Sequence, residues 1–122
     1  MAAKKILVVD DEMHIIRIVK YKLEAAGYEV ISALNGVDAL RMAREEKPAL
    51  IFLDIMMPGI NGYEVCTQLK NSAATRDIII IMLTAKGQES DKIKGLEVGV
   101  DEYITKPFSP QDLLDRAKDL LG

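Results

Sequence analysis

The run Ile78-Ile-Ile-Ile-Met-Leu83 holds no polar residue on either side of its alternation. A strand with one wet face alternates polar and apolar side chains, so this one must be covered on both faces. It is also far too short to cross a bilayer. A doubly covered strand belongs inside a parallel sheet flanked by helices, which an isolated hairpin or a helical bundle cannot supply.

The rest of the chain supplies the partners. Lys5 to Asp10 is a short apolar run ending in acid, and Glu12 to Ala26 carries Ile16, Val19 and Leu23 on one helical stripe before Gly27. Tyr28 to Ala33 reads as a second strand. Asn35 can cap a helix through Glu46, which stops short of Pro48. Ala49 to Asp54 is a third buried run, followed by the turn-rich Met57-Pro-Gly-Ile-Asn-Gly62 and a helix from Tyr63 to Asn71. After the fourth strand, Asp77 to Leu83, a short helix from Ser90 to Val98 ends at Gly99. Asp101 to Thr105 is a fifth strand. Pro110 to Leu121 is a last helix, with Ser109 in the cap position. Five strands alternating with five helices predict an α/β, flavodoxin-like five-stranded parallel sheet of order 2-1-3-4-5, helices on both faces. The ligand site is then expected at the carboxyl ends of the strands.

Length and charge narrow the classes. The 122 residues make one domain, expected over 1–122 with no output domain in this chain. A single cysteine, Cys66, rules out an internal disulfide, and no Cys/His cluster offers a zinc site. A formal net charge of −3 gives direct nucleic-acid binding little electrostatic support, and no membrane segment or signal peptide is visible. A cytoplasmic domain is the expectation.

Chemistry collects at the strand ends. Asp10, Asp11 and Glu12 follow strand 1, Asp54 closes strand 3, Thr84 follows strand 4, and Lys106 follows strand 5 just before Pro107. A parallel sheet brings these to one edge. Three aspartates and one lysine leave an excess of negative charge that a hard divalent cation offsets, and oxygen-only ligands favour Mg²⁺ or Mn²⁺ over zinc. Mg²⁺ typically leaves coordination positions open to phosphate oxygens, which Lys106 and Thr84 can meet as donors. A carboxylate beside metal and phosphate is a plausible acceptor for in-line phosphoryl transfer.

The motifs Val9-Asp10-Asp11-Glu12, Leu53-Asp54-Ile55-Met56-Met57-Pro58-Gly59, Leu83-Thr84-Ala85 and Tyr103-Ile104-Thr105-Lys106-Pro107-Phe108 resemble, in order and spacing, the response-regulator receiver domain of two-component signalling. The similarity runs from Lys4 to Leu121, with a motif pattern nearest to receivers of OmpR-type regulators. It implies that Asp54 accepts a phosphoryl group from a sensor histidine kinase or phosphotransfer protein. It further implies that Asp11, Asp54 and the Met56 backbone carbonyl bind Mg²⁺ directly, Asp10 through water, and that Lys106 pairs with Asp54 and then with the phosphoryl group. The resemblance also implies a switch: Thr84 is drawn to the phosphoryl oxygens and Tyr103 rotates into the space it leaves. The face of the fourth helix, fifth strand and fifth helix is thereby repacked. A cis Lys106–Pro107 bond is implied too, as is an influence of Met56 and Lys86 on hydrolysis. Such a domain is not an enzyme in the ordinary sense, since it catalyses only its own phosphorylation and slow dephosphorylation.

Other residues carry weaker signals. Glu12 either caps the first helix or reaches a water near the metal. His14 reads as an exposed helix residue, Cys66 as a small core residue, and Met56 and Met57 as packing near or lining the cleft. Ile15, Ile16, Ile18 and Val19 span an arc wider than one core stripe needs, so part of it can dock a kinase helix. Lys92, Asp101, Glu102, Asp112 and Arg116 resemble the charges that link OmpR-type receivers across a symmetric face, in pairs of the Lys92–Asp112 and Glu102–Arg116 kind. That makes a phosphorylation-promoted homodimer a further expectation. The rival readings are an Mg²⁺-dependent phosphohydrolase with an aspartyl nucleophile, a flavodoxin-type FMN protein, and a degenerate receiver serving only as an interaction module.

Overall fold

The computed structural model describes residues 3–85 and 98–122. Five parallel strands form one sheet: β1 (Lys5–Val9), β2 (Glu29–Ala33), β3 (Leu50–Asp54), β4 (Ile79–Ala85) and β5 (Glu102–Lys106). Their spatial order is β2-β1-β3-β4-β5, the order expected. Helices α1 (Met13–Ala25), α2 (Gly36–Glu46), α3 (Gly62–Lys70) and the C-terminal helix (Pro110–Leu121) complete the described elements. Among the described residues, four helices stand where five were expected. The helix predicted from Ser90 lies outside the described residues except for Val98, and so do Lys86 and Lys92. No described helix is long and apolar enough to cross a membrane.

Strand alternation splits the core in two. Leu7, Val9, Ile51, Leu53, Ile80 and Met82 point to the side of α2 and α3, where they meet Ala39, Leu40, Val65, Cys66 and Leu69. Ile6, Val8, Leu50, Phe52, Ile81 and Leu83 point the other way, onto α1 (Ile16, Val19, Leu23) and the C-terminal helix (Leu113, Leu114, Ala117). β4 is buried on both faces through Ile80–Thr84, as its unbroken apolar run requires. β5 is one of the two edge strands, and its residues are half-buried apart from the exposed Thr105.

Helix starts follow capping chemistry. The Asn35 side chain accepts from the Asp38 N–H, and Ser109 forms a reciprocal capping box with Asp112 behind Pro110. Asn61 caps α3 by accepting from the Glu64 N–H, so that helix begins one residue earlier than periodicity alone suggests. Glu12 occupies the cap position of α1, but its side chain makes no capping hydrogen bond. Instead it lies 3.3 Å from the exposed His14 imidazole.

Of the charged residues expected to link protomers, the described ones find partners within the chain. Arg116 Nε donates to Glu102 Oε2 at 3.2 Å, and Arg116 Nη2 donates to Glu102 Oε1. Asp112 serves the capping box. Asp101 accepts from the Ile80 N–H at 2.7 Å and from Lys70 Nζ at 3.2 Å. The reason is geometric: β5 and the C-terminal helix run side by side, so Glu102 and Arg116 face each other in a single chain.

Candidate functional site

The carboxyl edge of the sheet brings three of the predicted residues together. Asp10, one residue beyond β1, is completely buried, and Asp54, the last residue of β3, is 5% exposed. Lys106, the last residue of β5, reaches across β4 to both: its Nζ lies 3.1 Å from Asp10 Oδ2 and 3.6 Å from Asp54 Oδ2. The shorter contact is to Asp10, whereas sequence resemblance pointed to Asp54. The peptide bond from Lys106 to Pro107 is cis. Thr84, buried near the end of β4, lies in register with Thr105.

Asp10 and Asp54 are each braced by backbone. The Glu12 N–H donates to Asp10 Oδ1 at 2.9 Å, and the Met56 N–H donates to Asp54 Oδ1 at 3.3 Å. The Met56 side chain points out and is 62% exposed, while Met57 packs into the α2–α3 core. Only Met57 thus fulfils the expected packing role.

The electrostatics are those of a site with too much negative charge. Burial, then the nearby Asp10 charge, push the Asp54 carboxyl up from its ordinary 3.8 to about 6. Lys106 and the Met56 N–H pull it back down, and Asp11 adds a further upward push. Burial works against the Lys106 ammonium, but its hydrogen bond to Asp10 and the charges of Asp54, Asp10 and Glu12 outweigh that and raise its pKa.

A donor set for a cation is also present. One carboxylate oxygen each from Asp10, Asp11 and Glu12 lie within 4.8 Å of one another. Asp11 and Glu12 are exposed, so this cluster opens to solvent while Asp10 anchors it from below. All-oxygen donors with surplus charge fit a hard divalent ion. Glu12 belongs to this cluster, a placement its sequence position left open between capping and the metal. The signal was the unbroken acidic triplet itself.

Tyr103 sits on β5, paired across with Met82, on the face opposite to Asp54 and Lys106 and the same as Thr84. Its hydroxyl is buried and has no hydrogen-bond partner among the described residues. Beside Lys106, a cavity of about 400 Å³ is walled by Ile15, Ile18, Val19, Pro107 and Phe108.

Comparison with known proteins places this arrangement. The model of the response regulator receiver domain family matches residues 6–118. The alkaline phosphatase synthesis transcriptional regulatory protein PhoP of Bacillus subtilis is 52% identical over 118 residues, 97% of this chain and 48% of that protein. The phosphate regulon transcriptional regulatory protein PhoB of Pseudomonas aeruginosa is 52% identical over 121 residues, 99% of this chain and 53% of that protein. The chain thus spans about half the length of the curated relatives it matches. Among solved structures, the Vibrio cholerae chemotaxis protein CheY4 superposes with a TM-score of 0.91 at 33% identity, covering 98% of this chain and 100% of that one. DrrB, an OmpR/PhoB homologue from Thermotoga maritima, gives 0.86 at 38% identity, covering 98% and 53%. A family match over nearly the whole chain, on a sheet whose carboxyl edge gathers Asp10, Asp54 and Lys106, makes this chain a member of the response regulator receiver domain family of two-component signalling.

Proposed function

We propose that this domain, working in the cytoplasm, accepts a phosphoryl group on Asp54 from a phosphohistidine of a sensor histidine kinase or phosphotransfer protein. The observation that carries this reading is Asp54 itself: a nearly buried carboxylate at a strand end, one oxygen held by the Met56 N–H and the other facing Lys106. Asp54 Oδ attacks phosphorus, the P–N bond breaks, and the imidazole leaves with its electron pair. Asp10, Asp11, Asp54 and the Met56 carbonyl are the groups to hold Mg²⁺ or Mn²⁺, with Glu12 close enough to assist. A bound ion would offset the negative charge of these carboxylates and of the incoming phosphoryl oxygens. Lys106 can swing from Asp10 and Asp54 to a phosphoryl oxygen without leaving the cleft.

Thr84 and Tyr103 are the switch residues of this reading. Phosphorylation turns one negative charge into about two. Thr84 donates to the new oxygens, and Tyr103, whose buried hydroxyl makes no hydrogen bond among the described residues, is free to turn on the face they share. Met56 has no polar side-chain atom to orient an attacking water, which favours a long-lived phosphoryl state. The cavity beside Lys106, together with the exposed Ile18, suits an apolar kinase surface next to the acceptor.

Intact mass after incubation with a small phosphodonor and Mg²⁺ tests the reaction, beside an Asp54→Asn control. The expected result is one added phosphoryl group on the wild type, absent from the control and absent without Mg²⁺. An intact donor and no adduct would return the domain to an interaction module, and donor consumed repeatedly without adduct would make it a phosphohydrolase.

A phosphorylation-promoted homodimer through the fourth helix, fifth strand and fifth helix belongs to the same proposal, with one amendment. The Glu102–Arg116 pair closes within the chain, so a partner protomer has to compete for it. Arg116→Glu is expected to abolish phosphorylation-dependent dimers in sedimentation, and unchanged sedimentation would remove the dimer from the proposal.

A further inference from the structure

We infer that Gly62 and Gly36 are positioning residues for the acceptor carboxylate, an inference that rests on the phosphoryl-transfer reading above. Neither glycine is needed for its backbone angles, since neither has positive φ. Each is needed for room. A Cβ on Gly62 would stand 2.7 Å from the Asp54 carbonyl oxygen and 2.9 Å from Ile55 Cα. A Cβ on Gly36 would stand 2.7 Å from the Ile60 carbonyl oxygen, and 3.1 Å from both Ile60 Cβ and Val65 Cγ2. The nearest atoms are backbone in both cases and cannot rotate aside.

These two contacts fall on the two ends of one segment. Gly62 opens α3 and donates its N–H to the Ile55 carbonyl at 3.0 Å, holding the chain where it leaves β3. Gly36 opens α2 and presses on Ile60, where the same segment turns into α3 behind Asn61. Between them lies Met56, whose N–H braces Asp54 and whose carbonyl belongs to the proposed metal set. The beginnings of two helices thus clamp the loop that carries the reacting carboxylate. A methyl group at either point would displace the loop, and at Gly62 the push falls on the acceptor's own backbone.

Alanine favours helix over glycine, so Gly→Ala at these positions improves local propensity and leaves the clash as the adverse effect. Gly62→Ala is expected to raise the Mg²⁺ concentration for half-maximal phosphorylation by a small phosphodonor, and to slow the reaction at saturating Mg²⁺ by up to about a hundredfold, the scale of a 1 Å misplacement. Gly36→Ala should shift the same quantities in the same direction by about tenfold, a smaller misplacement on the same scale. Gly27→Ala is the control: Gly27 has φ +100° and an open Cβ direction, so alanine there strains the backbone without touching this loop. It should lower stability while leaving Mg²⁺ half-saturation unchanged. The inference is overturned if Gly62→Ala and Gly36→Ala fold and stay within about twofold of wild type in both quantities, or if Gly27→Ala shifts Mg²⁺ half-saturation as much as they do. Should Gly62→Ala fail to fold, Gly36→Ala decides by the same criterion. A wild type that takes no phosphoryl group would sink the transfer reading instead.

Discussion

Without divalent cations at pH 8, Asp54→Asn is expected to make the protein more stable, although it removes the residue on which the proposed reaction depends. The folded chain holds this carboxyl at about 6 against an ordinary 3.8, chiefly through burial and then through Asp10. A group with a raised folded pKa contributes stability fully present below its unfolded pKa and lost as pH rises through the folded value. Ionised Asp54 therefore destabilises the fold above about pH 6. The whole gap corresponds to roughly 3 kcal/mol, and screening by water at the cleft mouth brings the expected gain to about 1–2 kcal/mol. Asparagine keeps an oxygen for the Met56 N–H and drops the charge. Urea unfolding in EDTA should show the advantage at pH 8 and its disappearance near pH 4. An asparagine variant weaker than wild type at both pH values would contradict this account of the cleft.

Lys106→Ala should move stability the other way. It leaves the fully buried Asp10 and the nearly buried Asp54 facing each other without their cation. Removing one partner of a buried ion pair costs about 3–5 kcal/mol, and because Lys106 is 23% exposed at its side chain the lower end, about 3 kcal/mol, applies here. The lysine's folded pKa lies above its ordinary value, so its contribution is fully present at pH 8 and is lost only in strong alkali. The penalty should shrink as pH falls through 6 and Asp54 takes up a proton. Adding Asp54→Asn to Lys106→Ala should recover much of the loss, with a coupling of about 1 kcal/mol or more. A single-variant cost below about 0.5 kcal/mol, the range of ordinary surface changes, would mean that water already screens the pair.

Much of this was legible in the residues. The run at Ile78 allowed only a strand covered on both faces, and β4 is such a strand. Asn35 and Ser109 marked helix starts through chemistry local to a few residues, and the structure keeps both. Strand-end residues were legible because parallel strands bring their carboxyl ends to one edge whatever lies between them. What escaped depends on distances across the fold. Lys106 favours Asp10 over Asp54 by 0.5 Å, a choice set by how β5 sits beyond β4. Arg116 meets Glu102 because the last helix lies along the edge strand, and spacing alone cannot tell a partner in the chain from one across an interface. Asn61 is hidden as a cap because it ends a turn-rich stretch that already accounts for it, although the Asn61-x-x-Glu64 pattern carries the signal.

Cys66 gives this protein a clock of its own. The thiol is completely enclosed where α3 packs on the sheet, and burial, opposed by Lys70 and aided by Asp101, pushes it up to about 11. Alkylating reagents attack the thiolate, so the closed protein offers them neither access nor the reactive form. Modification must wait until α3 lifts away, and its rate then reports how often that happens. The chain has one cysteine and no tryptophan, so mass labelling at this site reads a single event where fluorescence has no indole to follow. Because α3 begins against the backbone of Asp54, anything that tightens the cleft should slow the same clock.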